Sequence, residues 1–398
     1  MKQSFFFMSL IFLFACHQQQ RCLVIFDLNK KYPELEFSHD DNKTQYVALE
    51  TTTEVLADRD FRIVYVSDNR IVGLNRHRGD VFIFNREGRV VSFFNNKGNS
   101  GIEYINVRSI VFDEVNKEIF IADHSSRNRC VVYTEDGKFL RQLRFPTGSQ
   151  ITDLYNFDDQ TLLAYNEVRI KTSGWVTKGI EEINQKMPYV FLSKKDGDEV
   201  SRVNLSLSKR ISYYHMLGVE NYTPRGVFVN TPNTNVKYGR EFIIHDRSSD
   251  TVFLLTQDKK MTPLFTTTPS VFKDTKKIVF KYVHFKTDRY LFLMTMKYNV
   301  HKAVEVYEKG QNVSSVVRTD FFVVDLQTDE IFTPVGSHPV GREIDAPENT
   351  FVQFYFVGHL VDRLDNGKLE DGSELKRIAQ ALKEKKEEVN PIVEIIKY

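Results

Sequence analysis

One strand-turn-strand pattern occurs twice in this chain at a constant spacing. The first copy runs from Asp80 to Phe94 and the second from Arg129 to Leu143, and the turn glycines Gly88 and Gly137 give the offset, 137 − 88 = 49 residues. Both copies carry β-branched and aromatic residues on either side of the glycine turn, as antiparallel strands do. The pattern therefore predicts a repeated antiparallel sheet.

Each copy belongs to a longer unit that contains four short β-patterned runs. The runs of the first unit are Arg62–Ser67, Arg70–Asn75, Asp80–Asn85 and Arg89–Phe94. Those of the second unit are Arg108–Phe112, Glu118–Asp123, Arg129–Thr134 and Lys138–Leu143. Four short antiparallel strands per repeat are typical of a β-propeller blade.

Three further units of this kind follow, and a sixth is incomplete. In the fourth unit we expect Gly226–Asn230 to be the first strand. The sixth unit holds only the runs Phe351–Val357 and Pro391–Tyr398, so it lacks two strands. The early runs Leu23–Leu28 and Thr44–Thr51 supply two strands from the other end of the chain. We therefore expect a two-plus-two closing blade, which removes exposed sheet edges from the ring.

The predicted fold class is all-β: a six-bladed β-propeller of four-stranded antiparallel blades, with the last blade closed by N- and C-terminal strands. The propeller is expected to span residues 45–398, after a tether and first closing strand in residues 16–44. One C-terminal helix is expected over residues 373–388, where apolar residues recur at helical spacing after Ser373, a suitable N-cap. We expect this helix to pack on its own domain.

Two long insertions, residues 166–188 and 298–319, interrupt the third and fifth units between their second and third strands. In an antiparallel blade these turns emerge on the same face as the connections between blades, such as the loop Gly98–Tyr104. This side is termed the insertion face. The short turn Arg86–Gly88 belongs to the opposite face. Because both long insertions lie on the insertion face, we expect the function of the protein there.

The first residues have the pattern of a targeting segment. Lys2 provides positive charge before the apolar run Phe5–Phe14, which is too short for a transmembrane helix, so residues 1–15 are expected to be a signal peptide. A leucine three residues before Cys16 and an alanine one residue before it resemble the lipobox of bacterial lipoproteins, whose cysteine is lipidated. The alternative is an ordinary signal peptide with Cys16 unmodified. Both alternatives predict a location outside the cytoplasm.

The overall charge and the lack of known motifs exclude several classes of function, and the remaining cysteines indicate no further one. The 54 basic and 53 acidic side chains give a net charge of +1 without a basic stripe, so nucleic acid is not an expected partner. Cys130 aligns with a strand position and is expected to pack in the core, while the state of Cys22 stays open. Standard catalytic and phosphate-binding motifs are absent.

A second recurrence points to candidate ligand-binding residues. The segments Ala122–Val132 and Ile244–Leu255 each place a histidine, an aspartate, two serines and an arginine after a second strand. Asp and Ser also favour tight turns, so a purely structural role is one interpretation. In the other, cationic side chains at the mouth of the central channel bind a carboxylate, phosphate or sugar. The residues concerned are His124, Arg127, His245 and Arg247.

Three further candidates lie on predicted loops of the insertion face. Glu103 and Tyr104 end the connection between the first two blades, where they either contact a ligand or lock one blade to the next through the phenol hydroxyl. Trp175, the only tryptophan, lies in the third-blade insertion. An exposed indole can stack on a sugar ring or anchor a partner, and burial beneath its own insertion is the alternative.

The chain resembles the six-bladed β-propeller lipoproteins of Gram-negative bacteria, a group related to the NHL and TolB-like propellers. The matching segments are the lipobox, Thr44–Thr52, Phe82–Phe94, Gly98–Tyr104 and Glu388–Tyr398. The resemblance covers essentially the whole chain. It implies a propeller that is lipid-anchored in the cell envelope, in the periplasm or at the outer membrane.

Two functions remain open at this point. The favoured one is a membrane-tethered extracytoplasmic propeller, without a cofactor, that binds a glycan, peptide or protein partner on the insertion face. The alternative is a hydrolase or lyase of the NHL-propeller type, with a divalent metal held at the channel mouth by His124 and His245. A zinc site needs about three converging ligands, and only these two histidines are suggested by the repeat.

Overall fold

The computed structural model describes residues 23–37, 43–123, 129–167, 187–211, 214–217, 227–230, 235–273, 277–311, 316–336, 338–340, 344–385 and 389–398. Its strands are β1 (Val24–Asp27), β2 (Glu34–Phe37), β3 (Thr44–Ala48), β4 (Phe61–Val66), β5 (Arg70–Asn75), β6 (Asp80–Asn85), β7 (Val90–Phe94), β8 (Val107–Asp113), β9 (Glu118–Asp123), β10 (Arg129–Thr134), β11 (Phe139–Arg144), β12 (Ile151–Asn156), β13 (Thr161–Asn166), β14 (Tyr189–Ser193), β15 (Glu199–Arg202), β16 (Tyr214–Leu217), β17 (Val227–Asn230), β18 (Asn235–Tyr238), β19 (Glu241–Ile244), β20 (Thr251–Leu255), β21 (Met261–Thr268), β22 (Lys277–Lys286), β23 (Tyr290–Asn299), β24 (Val317–Asp325), β25 (Ile331–Gly336), β26 (Thr350–Tyr355) and β27 (Ile392–Lys397). Its helices are α1 (Val300–Glu308), α2 (Val357–Asp365) and α3 (Glu374–Lys385).

These strands form the six blades of a propeller, as the repeat predicts. Blades one to five are β4–β7, β8–β11, β12–β15, β18–β21 and β22–β25, each an antiparallel meander, and blade six has the order β26, β27, β3. The innermost strands β4, β8, β12, β18, β22 and β26 face the central channel, and several of them contact the inner strand of the next blade. The fold class is therefore confirmed.

The N-terminal strands close the ring in a different way from the two-plus-two prediction. β3 pairs with β27 in register Val47↔Val393, so both termini do build blade six. The earlier strand β1 instead adds in parallel to β21 of blade four, and β2 adds to β25 of blade five. The two-plus-two prediction is wrong, because only one N-terminal strand joins blade six. The physical reason is that β1 buries Phe26 completely between blades four and five. The Phe26 ring centroid lies 4.8 Å from that of Phe322 and 6.3 Å from that of Phe265.

The inner strand of blade four also differs from the sequence expectation. Residues 227–230 form β17, which pairs with β16 in a separate two-stranded ribbon. The inner strand is β18, which a tight turn through Gly239, at a φ of 57°, joins directly to β19. A short hairpin needs such a turn, and Gly tolerates its positive φ.

The two predicted insertions differ in how much the structure describes. Residues 168–186 of the first lie outside the described residues. In the second, β23 extends to Asn299 and is followed by helix α1, and β24 begins at Val317. The additional residues of blade five therefore form longer strands and a helix.

The C-terminal helix forms where it is predicted, as α3. The Ser373 hydroxyl accepts a hydrogen bond from the Lys376 amide at 3.3 Å, as an N-cap does. Leu375 and Ala379 are buried against Leu360 of α2, a helix that the sequence analysis did not resolve. None of the described helices is both long and apolar enough to cross a membrane.

The core consists of apolar layers between neighbouring blades. Cys130 is fully buried with Leu143 in the layer between blades two and three, and burial raises the pKa of its thiol. The predicted packing role of Cys130 is confirmed. A buried ion pair, Lys194 to Asp113 at 2.7 Å, also links blades three and two.

Candidate functional site

The central channel contains a cavity of about 560 Å³ on the side of blades six, one, two and three. Its walls are the inner strands β26, β4, β8 and β12. Residues Ile344 and Asp345, which lie between blades five and six in the chain, enter the channel and line it as well. A cavity of this size can hold a small molecule or the end of a larger ligand.

The segment around Asp345 runs along the inside of this channel. It lies parallel to β4, with the Val66 amide donating to the Asp345 carbonyl at 2.8 Å and the Asp345 amide donating to the Val64 carbonyl at 3.3 Å. From blade four, the Lys237 ammonium group contacts the Asp345 carboxylate at 2.8 Å. A separate groove is lined by Lys237 and Tyr65, so Tyr65 borders both the cavity and this groove. The Asp345 segment therefore occupies part of the channel beside β4.

Arginine side chains gather at the other end of the cavity. Arg59 is in the connection from blade six to blade one, Arg62 is the second residue of β4, Arg76 follows β5, and Arg108 is the second residue of β8. In each blade these positions lie at the insertion face. The cationic end of the cavity therefore opens on the face where function is expected.

Backbone contacts between blades orient two of these arginines. The Arg76 Nε donates to the Val107 carbonyl at 3.0 Å, which joins blade one to blade two. The Arg108 Nε donates to the Thr152 carbonyl at 3.2 Å, which joins blade two to blade three. A guanidinium group held through Nε is positioned in advance, and the planar fork suits carboxylate and phosphate.

The charges that line the cavity leave a positive excess. Four arginines line it together with the three aspartates Asp60, Asp153 and Asp345. Because Lys237 pairs with Asp345, four cationic groups face two remaining carboxylates, 4 − 2 = +2. Aromatic side chains also line the cavity. Tyr65 and Tyr155 lie near the far ends of their strands, and Phe354 packs 5.8 Å from Phe61 between ring centroids, at the arginine end. An apolar pocket with a few charged groups at one end suits an amphiphilic anion.

Of the residues predicted from the sequence, His124, Arg127 and Trp175 lie outside the described residues. The structure therefore does not test their expected roles. It does locate His245, Arg247, Glu103 and Tyr104.

His245 and Arg247 are buried, and neither is an exposed group at a channel mouth. The Arg247 Nη1 forms an ion pair with Glu167 at 2.9 Å, with both side chains nearly inaccessible, and its guanidinium lies over the Tyr165 ring. His245 packs edge-on against Tyr282, with ring centroids 5.4 Å apart. Burial and the nearby cations lower the pKa of His245 to about 3, so its ring is neutral. Their surroundings are those of a buried polar cluster between blades three, four and five.

Glu103 and Tyr104 hold their own loop in place. The Tyr104 hydroxyl donates to the Gly79 carbonyl at 2.5 Å and accepts from the Asn96 amide at 3.0 Å. The Glu103 carboxylate accepts from the Ser100 amide at 2.8 Å, and this bond holds the pKa of Glu103 below its usual value. Tyr104 is fully buried: its hydroxyl bonds to residues on the blade-one side, and its ring packs edge-on against Tyr133 of blade two, with ring centroids 5.9 Å apart.

The described residues contain no group of three or more His, Cys, Asp or Glu side chains arranged to hold a metal ion. The alternative metal site would use His124, which is outside these residues, and His245, which packs in the core. The structure therefore does not test this alternative as a whole, because it does not describe His124.

The sequence analysis missed the arginines of the channel. Arg62 and Arg108 occupy the same position, the second residue of an inner strand, in consecutive blades. Since inner strands line a propeller channel, this shared position was a usable signal. Arg59 and Arg76 lie in connections, where the sequence pattern gives no comparable indication.

Comparison with known proteins supports the fold. The sequence profile of a family described as "Domain of unknown function (DUF4934)" matches residues 23–397. No curated protein matches this sequence. Among solved structures, the chain is similar to a Bacteroides fragilis protein described as a "Putative exported protein", at 16% identity over 94% of this chain and 99% of that chain, with a TM-score of 0.61. A member of the duf4221 family from Bacteroides vulgatus is similar at 10% identity over 75% of this chain and 88% of that chain, with a TM-score of 0.45.

Proposed function

This chain belongs to the DUF4934 family, and we propose that it is an extracytoplasmic binding protein that holds an anionic ligand in the cavity of its propeller channel. The ligand is a carboxylate-, sulfate- or phosphate-bearing glycan or peptide. Its charged group contacts the arginines at the insertion face, and its apolar part lies against the aromatic side chains.

The observation that carries this proposal is the asymmetry of the cavity. One end gathers Arg59, Arg62, Arg76 and Arg108, and Asp345, which pairs with Lys237, lies beside the far half of β4. Charge-assisted hydrogen bonds to a guanidinium contribute about 1.5–3 kcal/mol each when water is excluded. Neutral sugars offer only uncharged oxygen acceptors, which gain less from these donors than an anionic group does.

We also propose that the protein is anchored in the envelope of a Gram-negative bacterium through lipid on Cys16. The lipobox-like spacing before Cys16 supports this, and so does the similarity to a Bacteroides protein described as exported. Replacing Cys16 with Ser is expected to move the protein from the membrane fraction to the soluble fraction. Retention in the membrane fraction would contradict lipid anchoring.

The ligand is sought with the chain beginning at residue 17, on arrays of acidic and neutral glycans and of acidic peptides. Binders are expected to share an anionic group. Arg59→Gln and Arg108→Gln are each expected to weaken binding by about tenfold or more, the equivalent of one charge-assisted hydrogen bond. Arg240→Gln, an exposed arginine outside the cavity, is the matched control. Equal binding of neutral and acidic glycans, or full binding by both channel variants, would overturn the proposal.

A further inference from the structure

A second pocket lies on the other side of the molecule, at the seam where blade six meets blade one. The turn Arg86–Gly88 of blade one packs directly on the end of β3, and the Glu50 amide donates to the Gly88 carbonyl at 2.8 Å. Gly88 has a φ of 82°, and a Cβ at this position would lie 2.2 Å from the Ala48 carbonyl oxygen. This close approach fixes the turn, and with it the backbone that carries Arg86.

The pocket at this seam has a volume of about 420 Å³ and is termed the seam pocket. Three cationic residues line it: Lys43 from the start of β3, Arg86 from the turn, and Lys397 from the end of β27. Gln45 and Tyr398 complete its wall. Among the residues that the structure describes, no aspartate or glutamate lines the seam pocket.

These cations have no ion-pair partner in the described part of the chain, although the Asp68 and Glu87 carboxylates favour the charged form of Arg86 electrostatically. Lys43, Arg86 and Lys397 form neither an ion pair nor a side-chain hydrogen bond with any described residue. The Arg86 Nη1 atom is buried without a hydrogen-bond partner. Burial lowers the pKa of Arg86, which reflects the cost of holding its charge there. A buried guanidinium nitrogen without a hydrogen bond is costly, and the anionic oxygens of a bound ligand would satisfy it.

The repeat shows what the same position does in the next blade. At the 49-residue offset Arg86 corresponds to Glu135, because 135 − 86 = 49. The Glu135 carboxylate forms an ion pair with Arg70 of blade one, with 2.6 Å between Glu135 Oε1 and Arg70 Nε. Blade one thus carries a cation at a position where blade two carries a paired carboxylate. The charge reversal leaves the seam between blades six and one cationic.

We propose that the seam pocket binds a phosphate group, either as free phosphate or phosphoester or as the headgroup of an anionic lipid. Three converging cations suit a group that can carry two negative charges better than a carboxylate, which carries one. The site is independent of the channel cavity, because the two pockets share no residue.

The test is thermal unfolding of the chain from residue 17 in inorganic phosphate and in chloride at equal ionic strength. Phosphate is expected to raise the Tm of the wild-type protein by mass action. Arg86→Gln and Lys397→Gln are each expected to remove most of that rise, while Arg89→Gln, an exposed arginine next to the same turn, keeps it. Two variants are used so that a folding defect in one does not decide the result.

The outcomes separate the proposal from its alternatives. No phosphate-dependent rise in the wild type, or an equal rise in both seam-pocket variants, overturns it. Cosedimentation with phosphatidylglycerol vesicles and not with phosphatidylcholine vesicles, lost in Arg86→Gln, assigns the phosphate to lipid. A phosphate effect without vesicle binding assigns it to a soluble phosphate group. Retained binding of the acidic channel ligand by Arg86→Gln shows that the two sites are separate.

Discussion

The Lys237 ammonium group and the Asp345 carboxylate form a 2.8 Å ion pair that links blade four to the segment inside the channel. Both side chains are mostly buried, so each partner limits the desolvation cost of the other. We expect Lys237→Met and Asp345→Asn each to lower the free energy of unfolding by about 1–2 kcal/mol.

A double-mutant cycle in urea measures this pair directly. The double variant is expected to lose less than the sum of the single losses, with a coupling of about 1 kcal/mol. Strictly additive losses would show that the two charges do not stabilise each other. The Asp345 segment would then be held by its backbone bonds to β4.

The six-bladed ring could be predicted from the sequence because the pattern that defines each blade is local. The turn glycines Gly88 and Gly137 and the runs beside them define a blade wherever they recur. The pairing partner of an isolated strand cannot be predicted from such local evidence. Residues 24–27 and 44–48 have similar β patterns, but they pair with different blades. The position of β1 buries Phe26, and this burial depends on the packing of blades that are distant in sequence.

The candidate site was harder to predict for a related reason. Arg62 and Arg76 lie in one blade and Arg108 in the next, and only the packing of the blades brings them to one end of a cavity. By contrast, the conspicuous pattern around His245 and Arg247 belongs to a buried cluster. Polar residues conserved in type between repeats can therefore serve packing as readily as binding.

Tyr104→Phe tests the lock between the first two blades. The phenol hydroxyl bonds to the Gly79 carbonyl and the Asn96 amide, and its removal leaves both backbone groups buried or poorly hydrated. We expect a loss of about 1–3 kcal/mol in the free energy of unfolding, measured by urea denaturation. Binding of an acidic channel ligand is expected to be unchanged. Weaker binding with unaltered stability would instead assign Tyr104 to the ligand.

Arg247→Met tests the buried ion pair with Glu167. The sequence hypothesis predicts weaker ligand binding at unchanged Tm, whereas the buried geometry predicts a large loss of stability. Removing the guanidinium leaves the Glu167 carboxylate buried without its ionic partner, which costs about 3–5 kcal/mol in comparable cases. Adding Glu167→Gln is expected to recover part of that loss, because it removes the buried negative charge that faced Arg247. A wild-type Tm for Arg247→Met would restore the ligand-binding interpretation.

The buried histidines predict how stability depends on pH. Burial lowers the pKa of His245 to about 3 and that of His284 to about 4, from the ordinary value of 6.5. Between these values and 6.5 the unfolded chain binds more protons than the folded chain, so stability is fully present above pH 6.5 and is lost as the pH falls. Each such proton contributes a slope of about 1.4 kcal/mol per pH unit.

His245→Phe separates this contribution from general acid sensitivity. The phenyl ring can keep the edge-on contact with Tyr282 but cannot be protonated. Across the range from pH 6 to about pH 4, we expect the variant to lose stability less steeply than the wild type, by up to about 1.4 kcal/mol per pH unit. His77→Gln, at a largely exposed histidine, is the surface control for removing an imidazole. Parallel pH profiles for His245→Phe and the wild type would mean that the imidazole titrates in the folded protein as it does in the unfolded chain, and therefore that the pocket beside Tyr282 admits water.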